Sequence, residues 1–452
     1  MIQSILFILI TIIAVAYAYK QYARIWKNIQ LGQSVQLEGD KSQRWRNVLL
    51  IAFGQKKMFK KWIPGLFHFF IYSAFIITQI ELIEIFVDGI FGTHRPFASM
   101  LGGFYTFVIS LIEILSVLAF VATLIFLARR NLLKVPRFHK PEMKGWPKLD
   151  GNIILYLELT LVIGIMMMNG ADTVLQHLGA SHYHETGAFA VSSWLGPALF
   201  EGLSEGALVF VERAGWWIHF LVVLAFLNYL PISKHLHVFL AFPNVFFARL
   251  TPKGEIPNMD EVTQEVKIML GLEEPDPNAD MSELPEFGSK DIFDLTKVNL
   301  LNAYTCTECG RCTASCPANM TGKKLSPRKI MMDVRDRLEE VGKNIAENNT
   351  DCIAEAKKAA STVLSKDNYD DGQSLFDRIS DEEIFACTTC NACVEACPVL
   401  ISPLDIIMQL RRYKQLTLSE GPSDWMPMFN AIENSGAVWQ MNVERDAWKN
   451  DL

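Results

Sequence analysis

Five stretches of this chain are apolar on every side for long enough to cross a bilayer: residues 2–19, 62–91, 104–128, 152–175 and 216–242. A span takes about 20 residues, because a helix rises about 1.5 Å per residue and the hydrocarbon layer is about 30 Å thick. The segment WIPGLFHFFIYSAFIITQI at 62–80 shows no polar stripe, which suits lipid better than a soluble core. Beyond residue 242 the pattern changes. In SPRKIMMDVRDRLEEV, apolar residues recur at helical spacing among charges, with Ser326 as N-cap and Pro327 at the first helical position. DCIAEAKKAASTVLSK follows as a second helix, and no strand alternation interrupts the region. The expected fold is all-α. It comprises a five-helix transmembrane bundle at 1–242, a linker at 243–297, a helical domain at 298–416 and a tail at 417–452. The linker is acidic and bears prolines, with one amphipathic helix at 259–272.

Charge gives the spans an orientation. Of the 452 residues only 20% are charged and 50% are hydrophobic, which excludes an ordinary soluble enzyme and a disordered chain. Residues 1–242 carry a net charge of +6 and the remainder −13. The positive excess lies in the first loop, from Lys20 to Lys61, and in the third, from Arg129 to Lys148. The second and fourth loops hold little beyond Arg95 and Arg213, and the fourth is acidic. Basic loops stay in the cytoplasm. The N-terminus is thus expected outside, in a bacterial or archaeal inner membrane, with everything after the fifth span inside. AVAYA at 14–18 loosely matches a signal-peptidase site, but no basic region precedes the first span, so it reads as retained. No nucleic-acid partner is expected.

Imidazole and carboxylate are costly in hydrocarbon unless paired or ligated. His68 lies near the cytoplasmic end of the second span, and His237 near the same end of the fifth. Two histidines at one depth on separate helices either clamp a haem iron from both faces or each bond a neighbouring carbonyl. His235, about 200° around an unbroken helix from His237, reads as a propionate or headgroup contact. His94, His139, His182 and His184 read as solvated loop residues. Glu81, Glu84, Glu113 and Glu158 lie within spans. Glu81 and Glu84 are near enough to the outer boundary to reach water. Glu113 is deeper, and with Glu81 it is a candidate for a proton path.

All nine cysteines lie at or after position 306. Eight form two runs of C-x2-C-x2-C-x3-C-P: Cys306, Cys309, Cys312 and Cys316, then Cys387, Cys390, Cys393 and Cys397. Three closely spaced thiolates wrap one [4Fe–4S] cluster in a tight loop, and the fourth ligates the other cluster. The expected ligand sets are Cys306, Cys309, Cys312 with Cys397, and Cys387, Cys390, Cys393 with Cys316. Zinc would show two C-x-x-C pairs instead, and a cytoplasmic domain disfavours disulfides. Cys352 is a lone cysteine without an assigned role.

The membrane half resembles the nitrate reductase gamma-subunit type of cytochrome b. The resemblance is carried by LFH at 66–68 and by His219, Pro231, Ser233, Lys234 and His237. It implies one haem b between His68 and His237. That family's second haem takes a histidine ten residues after the first in helix two, where this chain has Thr78. A second haem therefore stays open, with His219 read either as a partner of His177 or as a hydrogen-bonding residue of a quinone site. Residues 299–416 resemble the alpha-helical dicluster ferredoxin domain found in the iron–sulfur subunits of succinate dehydrogenase and of heterodisulfide reductase. As a whole, the chain resembles membrane iron–sulfur oxidoreductases related to heterodisulfide reductase. The resemblance implies electron transfer between the quinone or menaquinone pool and a cytoplasmic redox protein, of the cysteine-rich CCG type or another iron–sulfur or flavin protein. Two other readings stand beside it. One is a haem-free membrane anchor or redox-sensing scaffold. The other is an ion or proton carrier, against which the absence of an inverted repeat argues.

Overall fold

The computed structural model describes residues 2–252, 254–274, 286–353, 363–439 and 446–450. Their regular elements are all helices, and among them the only β-pairing is one isolated bridge between Gln33 and Thr296. Five helices are long and apolar enough to cross a membrane: Ile2–Ile29, Trp62–Phe91, Gly103–Asn131, Trp146–His177 and Glu205–Ile232. The chain divides into two compact units, each assembled from separate segments. The first comprises Met1–Lys27, Arg44–Phe246 and Tyr304–Gly310; the second comprises Asn28–Gln43, Phe247–Ala303 and Arg311–Leu452.

The first unit is built on α1 (Ile2–Ile29), α2 (Trp62–Ile77), α3 (Gln79–Phe91), α4 (Gly103–Asn131), α5 (Trp146–His177), α6 (Ser192–Phe200), α7 (Glu205–Tyr229) and α8 (His237–Phe247). Lipid gives helices no hydrophobic reason to associate, so close approach relies on small residues. A Cβ at Gly215 of α7 would lie 2.6 Å from the Met168 nitrogen of α5, and one at Gly164 would lie 3.1 Å from the Gly215 carbonyl. On α3, Gly89 makes room for Phe7 of α1, whose ring stacks on Phe220 at 4.2 Å. Trp216, Ile85 and Met168 complete that core.

Two departures from the expected spans have local causes. The second span is two helices that meet at Thr78, whose hydroxyl donates to the Ala74 carbonyl (2.8 Å). Such back-bonding bends helices. The fifth span does not run to 242. α7 ends at Tyr229, two short 3-10 turns follow, and α8 opens at His237. Pro231 cannot donate to the ladder and breaks it. The 200° separation of His235 from His237 assumed one unbroken helix. Across the break their rings lie 5.3 Å apart.

The second unit centres on α11 (Pro327–Glu347) packed with α14 (Pro403–Arg412); of four short helices, α9 (Arg311–Ala314) packs on α11, α10 (Pro317–Met320) on α9, and α12 (Asp381–Phe385) and α13 (Ala392–Ala396) on α14. The Ser326 hydroxyl caps α11 by accepting from Lys329 N, with Pro327 next, as the sequence signals. Arg337 of α11, 1% exposed, donates to Asp291, Asp371 and the Gln373 carbonyl and so binds two segments to one helix. The 28–43 segment joins this unit through bonds from Gln33 N to Leu295 O and from Lys297 N to Gln33 O. In the linker the helix covers Asp260–Met269. Of the helix expected from 351, residues 350–352 form a 3-10 turn, and 354–362 lie outside the described residues.

Candidate functional site

The structure brings His68 and His237 together. Their ring centroids are 6.4 Å apart, and the rings are inclined at 45°. A metal between two imidazoles, about 2 Å from each ligating nitrogen, sets the ring centres roughly 6 Å apart. Each ring is oriented through its other nitrogen. His68 Nδ1 lies 3.1 Å from Gln55 Oε1, and His237 Nδ1 lies 3.3 Å from the Lys234 carbonyl. Both acceptors are oxygens, so each Nδ1 carries the proton and each Nε2 keeps its lone pair. That outer-shell arrangement is typical of ligating histidines. The two residues fit a bis-histidine haem. His235 lies 5.3 Å from the His237 ring and 5.7 Å from that of Phe226.

Gln55 was invisible to sequence reasoning. It ends an irregular turn in the first basic loop with φ +50°, and only the fold aims its amide at His68.

His219 and His177 are not brought together. His219 is buried, with Nδ1 3.2 Å from the Leu161 carbonyl of α5. His177 is exposed at the far end of that helix, sixteen residues and about 24 Å further on. The distance comes from the helical rise, so these two residues do not share an iron. Thr78, at the position of the resembled family's second-haem histidine, bonds its own helix.

A second polar cluster surrounds Arg95. Its guanidinium donates to Asp172 (2.9 Å), Asn169 (2.6 Å) and Tyr105 (3.1 Å), with Glu81 at 3.7 Å and Glu84 at 4.0 Å. Tyr105 donates to Glu84 (2.6 Å), and His94 meets Asp172 at 2.9 Å. The reading of Glu81 and Glu84 as water-accessible is corrected: both are buried, at 2% and 5% exposure. His94 is likewise no solvated loop residue, because it seals one end of this network. His139, His182 and His184 are exposed, as expected. Glu113, fully buried, accepts from Val191 N, Ser192 N, the Ser192 hydroxyl and Asn169. It thereby caps the N-terminus of α6, where a carboxylate meets the positive end of the helix dipole. Glu158 accepts from Thr123 (3.1 Å).

The cysteine loops repeat one backbone shape. In the first, Glu308 and Gly310 have φ of +54° and +70°; in the second, Thr389 and Asn391 have +55° and +60°. Left-handed residues other than glycine cost about 1–3 kcal/mol each and persist where the surroundings demand them. The same left-handed conformation at the same two positions of both repeats marks two equal wraps. Cys306 and Cys309 belong to the first unit. The second unit holds the other six motif cysteines, and there Cys316, Cys387, Cys390 and Cys393 line one recess walled by Leu404 and Ile407. These four residues are the crossed set expected from the spacing.

The thiols in this recess suit an iron cluster. Burial, and then the neighbouring Cys387, push the Cys393 thiol up to about 12. Buried thiols of this kind ionise when a cation binds them. Among the described residues, no three His, Cys, Asp or Glu side chains converge closely enough to hold a single ion. The sulfurs line a cavity wall, as the corners of a cluster require. Arg411 holds the loop by donating to the Cys387 and Ile384 carbonyls (2.7 Å each). Cys390 is exposed. Cys352, apart from both motifs, donates to the Asn349 carbonyl.

Five apolar spans with two cluster motifs define a class, and the chain is similar to membrane-bound iron–sulfur oxidoreductases. Residues 305–401 match the 4Fe-4S dicluster domain family. The chain is 29% identical to the probable iron-sulfur-binding oxidoreductase FadF of Bacillus subtilis (strain 168), over 99% of its own length and 61% of that protein. It is 24% identical to the EtfAB:quinone oxidoreductase of Syntrophomonas wolfei, over 88% of its length and 52% of the relative. Over 27% of its length it is 27% identical to one of the subunits of the ferredoxin:CoB-CoM heterodisulfide reductase of Methanosarcina mazei, covering 53% of that protein. The chain thus spans between about half and three-fifths of the length of the first two relatives. No solved structure matches.

Proposed function

We propose that this chain is a membrane electron-transfer subunit that moves electrons between the quinone pool and a cytoplasmic redox partner. The observation that carries the reading is the paired His68 and His237, in a chain that also bears the eight-cysteine motif. His68 and His237 would hold haem b. Cys306, Cys309, Cys312 and Cys397 would hold one [4Fe–4S] cluster, and Cys387, Cys390, Cys393 and Cys316 the other. These groups supply one-electron carriers. The protein's part is to hold them, orient the imidazoles through Gln55 and the Lys234 carbonyl, and keep the thiolates in apolar walls.

Quinone as the membrane-side substrate is supported by the relative named for quinone oxidoreduction, and by a polar network in the spans that can accept protons. In that network Glu81 faces Arg95, and Glu113 reaches it through Asn169 while also capping a helix end, so both belong to the proton-handling part of the reading. His219 is assigned to the quinone side as a hydrogen-bonding residue. The basic first and third loops support a cytoplasmic second unit and an external N-terminus. The partner is taken to be an iron–sulfur or flavin protein, and exposed Cys390 offers it the nearest approach. In the tail, Trp425 packs on Phe385 (5.5 Å), while Trp439 and Trp448 are exposed and available to such a partner.

Purified full-length chain is expected to contain one haem b and about eight non-haem irons, and quinol should reduce the clusters in membranes. Cys393→Ser should lose about half of that iron while keeping the haem spectrum. Stoichiometric zinc in place of iron would sink the cluster assignment, and clusters present without haem would leave the anchor reading.

A further inference from the structure

Between the haem histidine and the first cysteine loop stands one lysine. Lys234 is 8% exposed and lies three residues before His237. Its Nζ donates to the Glu308 carboxylate and to the Pro147 carbonyl (2.6 Å), with Asp150 at 3.7 Å. Its backbone is fixed as well. Lys234 N donates to Asp150 (3.1 Å), the neighbouring Ser233 hydroxyl donates to the same carboxylate (2.6 Å), and the Lys234 carbonyl accepts from His237 Nδ1. Arg130, half-buried, also donates to the Pro147 carbonyl (2.9 Å), so two cations and two carboxylates meet in one knot. Glu308, 3% exposed, sits between Cys306 and Cys309. All of these residues belong to the first unit.

The second repeat shows what Glu308 is not for. Its counterpart Thr389 adopts the same left-handed conformation, and its hydroxyl bonds only the adjacent Thr388 carbonyl (2.8 Å). The wrap therefore closes without a carboxylate. Glu308 is surplus to loop geometry, and its burial against an ammonium has a different purpose.

We infer that Lys234 is a positioning residue that ties the first cysteine loop, through Glu308, to the segment carrying His237. It holds the loop that carries Cys306 and Cys309 at a fixed distance from the segment that carries His237. This rests on the haem reading above. With haem held by His68 and His237 and a cluster held by this loop, the tether would set the distance over which one electron passes between them, one centre oxidised as the other is reduced, with no bond formed or broken. The pair sits in the outer shell of both sites, and lost outer-shell contacts typically cost about 10- to 100-fold in affinity or activity.

Glu308→Thr imports the second repeat's own solution and is the variant of choice. In full-length protein it should keep the haem spectrum and the iron content. A short-chain naphthoquinol should reduce its haem at the parent rate. Cluster reduction, followed by rapid-freeze EPR, should slow about tenfold or more. Hydrogen exchange at residues 304–310 should quicken, a readout independent of turnover. Lys234→Met combined with Glu308→Thr should be no slower than Glu308→Thr alone, because both remove one link. Parent-rate cluster reduction in Glu308→Thr, loss of its iron, or slowing that multiplies in the double variant would each overturn the inference. A parent protein without haem would instead remove the proposed function, and hydrogen exchange would still report on the tether.

Discussion

Arg95→Met is expected to destabilise the membrane unit by about 3–5 kcal/mol, the usual cost of removing one partner from a buried ion network. The guanidinium is the cation that faces Asp172, Glu81 and Glu84, and it also satisfies Asn169 and Tyr105. Without it Glu81 and Glu84 stay buried without the cation they face, and Asp172 is left with His94 and Gln176. For a unit of this size the loss corresponds to a fall in Tm on the order of 10 °C. Thermal unfolding in detergent, read on the near-UV signal of the packed aromatic residues, measures it. Adding Asp172→Asn should recover part of the loss, since deleting both charges of a pair costs less than stranding one. An unchanged Tm in Arg95→Met would mean that the network carries no net charge to compensate, and the account of Glu81 as a proton-handling group would fall with it.

The second large effect concerns the imidazole pair. His68→Ala and His237→Ala should each abolish the haem b spectrum, because a bis-histidine iron loses half of its axial ligation. Gln55→Ala should weaken haem retention without abolishing it, by about 10- to 100-fold in affinity, since it orients His68 but does not ligate. His219→Ala should leave haem content intact and change quinol-dependent reduction instead. Pyridine haemochrome assays on the four purified variants give the answer. A full haem complement in His68→Ala would remove that residue from the ligand set, and haem loss in His219→Ala would return the second-haem reading to consideration.

Much of this arrangement was legible in the sequence, and the reason differs from element to element. The spans could be read because lipid demands long uniform apolar runs, and the cysteine loops because a cluster imposes its spacing on consecutive residues. Both are local constraints. The N-cap at Ser326 was legible for the same reason. What escaped were partners set by tertiary packing. Gln55 reaches His68 across 13 residues, Arg95 reaches Asp172 across 77, and Lys234 reaches Glu308 across 74. No periodicity encodes such pairings. The helix-wheel placement of His235 failed at a local signal that was on view: Pro231 stops the helix, and past it the 100° step has no meaning. Glu113 illustrates the converse. A buried intramembrane acid invites a functional reading, and three of its four bonds serve a helix end while the fourth, from Asn169, joins it to the Arg95 network.

The segment exchange between the units has a consequence for manufacture, in the cell and at the bench. Residues 28–43 are synthesised early but belong to the second unit, and residues 304–310 are synthesised late but belong to the first. A ribosome that has just extruded the last span has therefore completed neither. The end of the last span is a poor place to divide the gene. Two fragments joined at residue 243 would each lack a stretch that the other carries, and the lysine knot would be cut from its glutamate.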